Sequence, residues 1–437
     1  MKRVAIIAHT HPQFTLGGGE LAAHRHFSHL RALGIRSHFV GMTVNPKATG
    51  RYFGDGQRVL TLGAQDHVLL TGGMDGFSME FDQAEDEQRT LDFLLSLNAD
   101  IYHFHHIWNV GAGTIRRLRA ARPDAQLILT LHEYAAICAN HGQMITRPGG
   151  QLCSGASPIA CAGCFESHVP FDFVLRKQRL REVLDQFDLL ISPSHFLRER
   201  FEQWGVPQGR IAVLENGLPA SPAPLAETLE TLDTKSRSFA FFGTLTPTKG
   251  LDVLLRATDW ATTACGAQDL SLNVFGVSEE QARGMWPGLV IPDNVRFRGR
   301  YRPEDAVELM SRVGWLVVPS VWWENAPVVI QEARAARTPV IASDIGGMAE
   351  KTQGFGLQCP PGDPYALGAL MAEVSGNAKR LLEHKKRIEP PLDIAGYHAA
   401  WDALCDGAAR ADAPRGGGVA GAKGAQRVRL DALAGSR

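Results

Sequence analysis

The sequence predicts an α/β protein built on two parallel sheets that face each other across a cleft. Three observations carry this. Short apolar runs alternate with segments of helical period from residue 3 to about 220, and again from 239 to about 395, the order that parallel sheets with crossover helices require. Residues 221–238, SPAPLAETLETLDTKSRS, separate the two stretches and have the Pro-, Thr- and Ser-rich composition of a linker. A length of 437 residues suits two or three domains.

Composition removes several function classes. With 45 basic against 46 acidic side chains the net charge is −1, so there is no broad electrostatic footprint for nucleic acid. The opening MKRVAIIAHTH has too short an apolar run for a signal peptide, and no run approaches the ~18 apolar residues that span a bilayer. The expectation is a cytoplasmic protein whose seven cysteines are reduced, so clustered thiols point to a metal or to packing ahead of disulfides.

In chain order, residues 3–8 form an apolar strand followed by Gly17, Gly18, Gly19 and Glu20, then a helix with Ala23, Phe27, Leu30 and Leu33 at helical spacing. Glycines at a helix start let the backbone approach a ligand closely; a tight turn is the plainer alternative. The pattern of this loop is not G-x-G-x-x-G, and no Walker-type G-x-x-x-x-G-K occurs in the sequence. Residues 45–92 carry little periodic signal. Residues 100–106 and 127–131 then read as strands, and the second delivers His132 and Glu133 to its C-terminal end, where open α/β sheets bind ligands. A structural or solvent-facing histidine is the alternative for His132.

Residues 138–165 are irregular and hold Cys138, Cys153, Cys161 and Cys164. The spacing C-x14-C-x7-C-x2-C allows a structural four-thiolate zinc site that staples a loop; otherwise these are free thiols. A helix over 171–187, a strand at 189–192, a helix from Pro193 and Ser194 to about Gly205, and a strand at 211–214 ending on Glu215-Asn216-Gly217 complete the first domain, residues 1–220.

The second domain, residues 239–395, restarts the alternation with a strand at 239–242, the loop GTLTPTKG (243–250) and a helix at 251–258. Lys249 sits at that helix entry, where a lysine meets phosphate as a point charge, or is simply solvated. Residues 313–341 read as a complete βαβ crossover: strand 315–318, Asn325 as N-cap, Pro327 in the first turn, and a further strand from Val340. Glu324 before this helix and Glu332 inside it flank its free N–H groups. That suits an elongated ligand with hydroxyls at both ends and phosphate in the middle, such as a nucleotide sugar. Two unrelated surface glutamates are the alternative. A short helix at 396–406 follows, and residues 407–437, Gly- and Ala-rich with GGG at 416–418, read as a disordered tail. Its basic excess allows a weak contact with an anionic membrane surface, though a solvated tail is the simpler reading.

In this order GGGEL (17–21), LTLHEY (129–134), ISPSHF (191–196), ENG (215–217), FFGTLTPTKG (241–250) and WENAPVVIQEARAARTPVIASDIGGMAE (323–350) resemble family 4 of the retaining glycosyltransferases. The resemblance covers residues 3 to about 404 and implies the GT-B fold, two Rossmann-like domains facing across a cleft. It also implies a return helix that packs on the first domain. Its further implications are a UDP- or GDP-type nucleotide-sugar donor on the C-terminal domain and a glycan, lipid-linked or small-molecule acceptor on the N-terminal one, in polysaccharide or glycoconjugate biosynthesis. By position, Glu324 contacts the donor sugar and Glu332 the ribose. Lys249 and the N–H groups around Asn325 and Ala326 face the diphosphate, Gly18 and Gly19 approach it, and His132 is the active-site histidine. The implied reaction is front-face transfer of a hexosyl unit with retention, with no catalytic metal. Thr244 departs from the pattern, because many members place an arginine there as a phosphate clamp. A non-hydrolysing nucleotide-sugar epimerase and a non-catalytic scaffold of the same fold are the alternatives.

Overall fold

The computed structural model describes residues 2–15, 17–44, 53–54, 56–220 and 227–411. The first sheet contains β1 (Val4–Ala8), β2 (Ser37–Thr43), β3 (Val59–Gly63) and β4 (Asp66–Leu70), while β5 (Met74–Asp75) and β6 (Glu80–Phe81) make a separate small hairpin. β7 (Ile101–Phe104), β8 (Gln126–Thr130), β9 (Leu189–Ser192) and β10 (Ile211–Val213) complete the first sheet in the order β10-β9-β8-β7-β1-β2-β4-β3. Only β3 runs antiparallel to its neighbour. The second sheet holds β11 (Ser238–Phe242), β12 (Ser271–Phe275), β13 (Val295–Gly299), β14 (Trp315–Val318), β15 (Val340–Ser343) and β16 (Leu357–Cys359). Its order is β13-β12-β11-β14-β15-β16, parallel throughout.

The central strands of both sheets are buried on two faces, which explains their near-continuous apolar sequences: β1, β7 and β9 read VAIIA, IYHF and LLIS, β14 and β15 read WLVV and VIAS, and all are fully buried. Each sheet has a switch of strand order, at β1 between β7 and β2, and at β11 beside β14. Loops leaving the C-terminal ends of strands at such switches form the crevice where ligands bind. His9 and Thr10 leave β1, His105 and His106 leave β7, His132 follows β8, Lys249 lies in the loop after β11, and Glu324 in the loop after β14.

Three segments differ from their sequence reading. The stretch read as a linker carries a helix, Leu229–Ser236, capped by Thr228 and anchored by buried Leu232 in the core of the second sheet; residues 221–226 lie outside the described residues. The last helix, Ile394–Ala411, extends past the expected stop near Leu404; it packs Tyr397, Trp401 and Cys405 against Ile6, Phe27 and Leu30 of the first sheet's layer. The rest of the tail, 412–437, is outside the described residues. The weakly patterned region contains the β3–β4 hairpin and a helix, Ala84–Ser96, whose acidic first turn (Glu85, Asp86, Glu87) complements the positive end of its dipole. Among the described residues no helix is long and apolar enough to cross a membrane.

Candidate active site

The strand ends of the two sheets enclose a cavity of about 900 Å³. Gly18, Gly19 and His132 line it from the first sheet, and Lys249, Glu324, Asn325, Ala326 and Glu332 from the second. All eight residues expected to act on a nucleotide sugar therefore meet in one place.

Glu324 is the best-supported side chain. It is 8% exposed, and its Oε1 accepts from Lys249 Nζ at 2.6 Å, Trp322 Nε1 at 2.8 Å and Ser320 Oγ at 3.0 Å. Burial alone would raise its pKa, but the Lys249 charge and these three donors hold it below the ordinary value, so the carboxylate stays ionised. All three donors act on Oε1, and Oε2 is the oxygen turned to a ligand. The lysine loop is fixed by Gly250, in the left-handed region at φ 69°, where a Cβ would lie 2.1 Å from the Pro319 carbonyl. That contact locks the loop after β11 to the end of β14, and so Lys249 to Glu324.

Glu332 sits one turn into the helix Val328–Ala335 and is buried; burial raises its pKa, and Arg25, whose Nη2 lies 3.3 Å from Oε1, lowers it. Arg25 comes from the helix Gly18–Ala32 of the opposite half. Asn325 is not the N-cap of the Glu332 helix, which starts at Val328 with Pro327 as the flanking residue. Its amide instead donates to the backbone carbonyl of His132, joining the two walls. Gly18 and Gly19 are required by close approach: Cβ atoms there would lie 3.0 Å from Val328 Cγ2 and 2.8 Å from His106 Nε2.

The opposite wall is built of histidines. His132 Nε2 pairs with His105 Nδ1 at 2.8 Å, and burial, followed by His9, pushes the His132 pKa down to about 3. At neutral pH this imidazole is uncharged and acts as a hydrogen-bonding group. The following loop is pinned by the guanidinium of Arg176, which donates to the carbonyls of Ala135, Ala136 and Phe77. Burial raises the neighbouring Glu133 carboxyl to about 7, against the Ala135 N–H and Arg176, which lower it.

The walls are held in register by further pairs. Glu215 of the ENG turn takes Arg334 at 3.0 Å and Lys351 at 3.1 Å, and Glu350 accepts from the backbone N–H groups of His195 and Phe196 at the start of the helix His195–Trp204. Trp323 Nε1 donates to the Cys153 carbonyl at 3.0 Å.

The four-thiolate site is not formed in this arrangement. Cys138, Cys153, Cys161 and Cys164 are free thiols, close enough for the other three to raise the Cys161 pKa after burial has done so. Yet among the described residues no three of their sulfurs lie within 4.8 Å of one another. Zinc with bonds of ~2.3 Å would hold its sulfurs roughly 3.8 Å apart.

Several site residues carry no motif. Ser320 and Trp322 are legible only as neighbours of Glu324. Arg300 and Tyr301, after β13, line the cavity, as does Thr244. Burial, then Glu332, raises the Tyr301 hydroxyl to about 12. Arg25 sits 307 positions from its partner.

Comparison with known proteins gives the same picture. Residues 17–217 match the family described as "Glycosyl transferase 4-like domain", and residues 236–377 that described as "Glycosyl transferases group 1". A D-inositol 3-phosphate glycosyltransferase of Mycobacterium sp. (strain JLS) is 27% identical over 263 residues, 57% of this chain and 52% of the relative. A phosphatidyl-myo-inositol mannosyltransferase of Mycobacterium leprae is 32% identical over 138 residues, 31% of this chain and 36% of the relative. The chain thus spans about half the length of the curated relatives it matches. Among solved structures, Anabaena HepE in complex with UDP superposes with a TM-score of 0.60 at 15% identity, covering 93% of this chain and all of that one. Sucrose-phosphate synthase from Thermosynechococcus elongatus gives 0.60 at 18%, over 94% and 98%. These likenesses are of fold.

Proposed function

This chain belongs to the group 1, GT4-like glycosyltransferases and has the GT-B fold, and from that premise we propose that it transfers a sugar from a nucleotide-sugar donor to a hydroxyl of an acceptor, with retention at the anomeric carbon. The observation that carries the proposal is the convergence of Lys249, Glu324 and Glu332 on one cavity. Glu332 accepts from the ribose hydroxyls, and Glu324, through Oε2, from hydroxyls of the sugar. Lys249 and the backbone N–H groups about Asn325 and Ala326 face the diphosphate and stabilise the charge that grows on it as the glycosidic oxygen leaves. Gly18 and Gly19 close over it from the other half. UDP is the first diphosphate to try, since HepE takes UDP and UDP-glucose.

The acceptor hydroxyl attacks from the face the diphosphate leaves, its oxygen bonds to the anomeric carbon, and its proton passes to the departing diphosphate. His132, neutral, orients the reacting sugar. The protein's part is positioning and charge stabilisation. Thr244 offers no phosphate charge, and Arg300, which lines the same cavity without a carboxylate partner among the described residues, supplies one in its place. The acceptor is a glycan, a lipid-linked acceptor or a small molecule, taken up on the cytoplasmic side, at the membrane surface if it is lipid-linked.

Purified protein incubated with UDP- and GDP-sugars, with and without an acceptor panel, tests this. The expected result is donor cleavage that depends on an acceptor and yields a product of retained configuration. Conversion of donor with no acceptor would instead indicate an epimerase, and donor binding without turnover across the panel a scaffold.

A further inference from the structure

Three side chains beside the glycine helix are assembled in a way that the transfer reaction does not use. His9, Glu20 and His106 each offer a ligand atom, and the three atoms lie within 4.8 Å of one another. They come from the loop after β1, the first turn of the helix Gly18–Ala32 and the loop after β7. Glu20 is 3% exposed; its Oε1 accepts from Thr10 Oγ1 at 2.8 Å and lies 3.3 Å from His9 Nε2. His106 is 6% exposed, and its Nε2 is buried with no hydrogen-bond partner, as is His9 Nδ1. The space beside His106 Nε2 is kept free by glycine, since a Cβ at position 19 would lie 2.8 Å from that nitrogen. Asn109 Nδ2 donates to the His9 carbonyl at 2.9 Å and fixes the loop that carries the first ligand.

Among the described residues this buried carboxylate is met by a hydroxyl and an imidazole and by no lysine or arginine, and a buried carboxylate without a compensating cation is costly. We propose that His9, Glu20 and His106 form a binding site for one divalent transition-metal ion of the zinc class. Two imidazoles and a carboxylate are the donor set such an ion takes. The ion ties the glycine helix to the loops after β1 and β7 directly behind His132, whose ring centroid is 5.5 Å from that of His106. The edge of His9, 25% exposed, is the entry path. Its role is positioning, and it stands on this geometry whether or not the proposed transfer is the activity.

The chain contains an internal contrast. His11, His24 and Asp66 also cluster within 4.8 Å. There His11 Nδ1 accepts from the Gln13 backbone N–H at 3.1 Å, so its proton is on Nε2 and donates to Asp66 Oδ1 at 3.0 Å. A metal on Nε2 would force that proton onto Nδ1, against the Gln13 N–H. That cluster is a carboxylate held by two imidazoles.

The test is to load the full chain with zinc, dialyse it against metal-free buffer and measure zinc per chain by atomic emission. About one equivalent is expected in the wild type, near zero in E20Q and H106A, and wild-type content in H24A and in C161S/C164S. Zinc should raise the Tm of the wild type and not of E20Q. Cobalt-loaded wild type needs no variant: nitrogen and oxygen ligands give weak visible bands without an intense sulfur-to-cobalt charge-transfer band. A wild type that takes no zinc, zinc retained in E20Q and H106A, zinc lost only from C161S/C164S or H24A, or a charge-transfer band would each overturn the proposal.

Discussion

The wall that carries Glu324 and the wall that carries His132 handle charge in opposite ways. On the first, a buried carboxylate is kept ionised by the Lys249 charge and by hydrogen bonds from Lys249, Trp322 and Ser320, and a second, Glu332, meets Arg25. On the second, buried imidazoles crowd one another and stay neutral; the pKa of His103 falls to about 3 through burial and then His132, and those of His26, His105 and His106 fall well below the ordinary value. Fixed charges suit a dianionic diphosphate whose charge grows in the transition state, while a neutral wall suits an acceptor hydroxyl that must be oriented without being trapped as an ion pair. The difference teaches where each kind of substitution should act.

Lys249→Ala should have the largest effect, lowering kcat/KM on the order of 100-fold or more, because it removes a preorganised cation and leaves Glu324 buried without it. Steady-state kinetics check this, and an unchanged rate would detach the charged wall from the chemistry.

Acid should then separate the walls. A histidine whose folded pKa lies below its unfolded value of 6.5 adds nothing above pH 6.5 and loses stability as pH falls below it, down to about 3 for His103. Each buried histidine that stays neutral costs up to about 1.4 kcal/mol per pH unit in that window. His26, His103, His105, His106 and His132 are of this kind in the first half, against His384 in the second. Glu324, lowered from 4.5, holds its contribution above that value and loses it only as pH falls further. Hydrogen exchange between pH 7 and 5 should therefore show the first sheet's helices opening before those of the second; equal protection in both halves would refute the contrast.

Trp322→Phe removes one of three donors to Glu324 and should cost about 1–1.5 kcal/mol, roughly tenfold in kcat/KM. Smallest is Arg300→Ala, expected to raise the donor KM about two- to fivefold with kcat unchanged, as for an exposed cation. An unaltered KM would leave the place of Thr244 without a substitute.

Much of the charged wall was legible in the sequence because its residues lie within short βα units: Lys249 after β11, and Glu324 and Glu332 around one helix start. The alternating apolar runs placed both sheets for the same reason. What escaped depends on long-range contact. Asn325 reads as a cap by local rules, but the loop crosses to the other half and its amide serves the His132 carbonyl. The Thr-rich stretch before β11 hides a helix that buried Leu232 ties to the core. Cysteine spacing fixes how far apart thiols are along the chain, not that the loop brings them to metal distance. Arg25, Arg300 and His105 are single residues whose importance comes from partners or a cavity that no local pattern names.

The most direct measurement of the central claim is a thermal-shift screen of the wild type and Lys249→Ala against UDP- and GDP-sugars. A donor at about 100 times its Kd adds about 2.7 kcal/mol. The account predicts a rise in Tm with one nucleotide sugar in the wild type and little or none in Lys249→Ala; a wild type indifferent to every nucleotide sugar, or a variant that shifts equally, would contradict it.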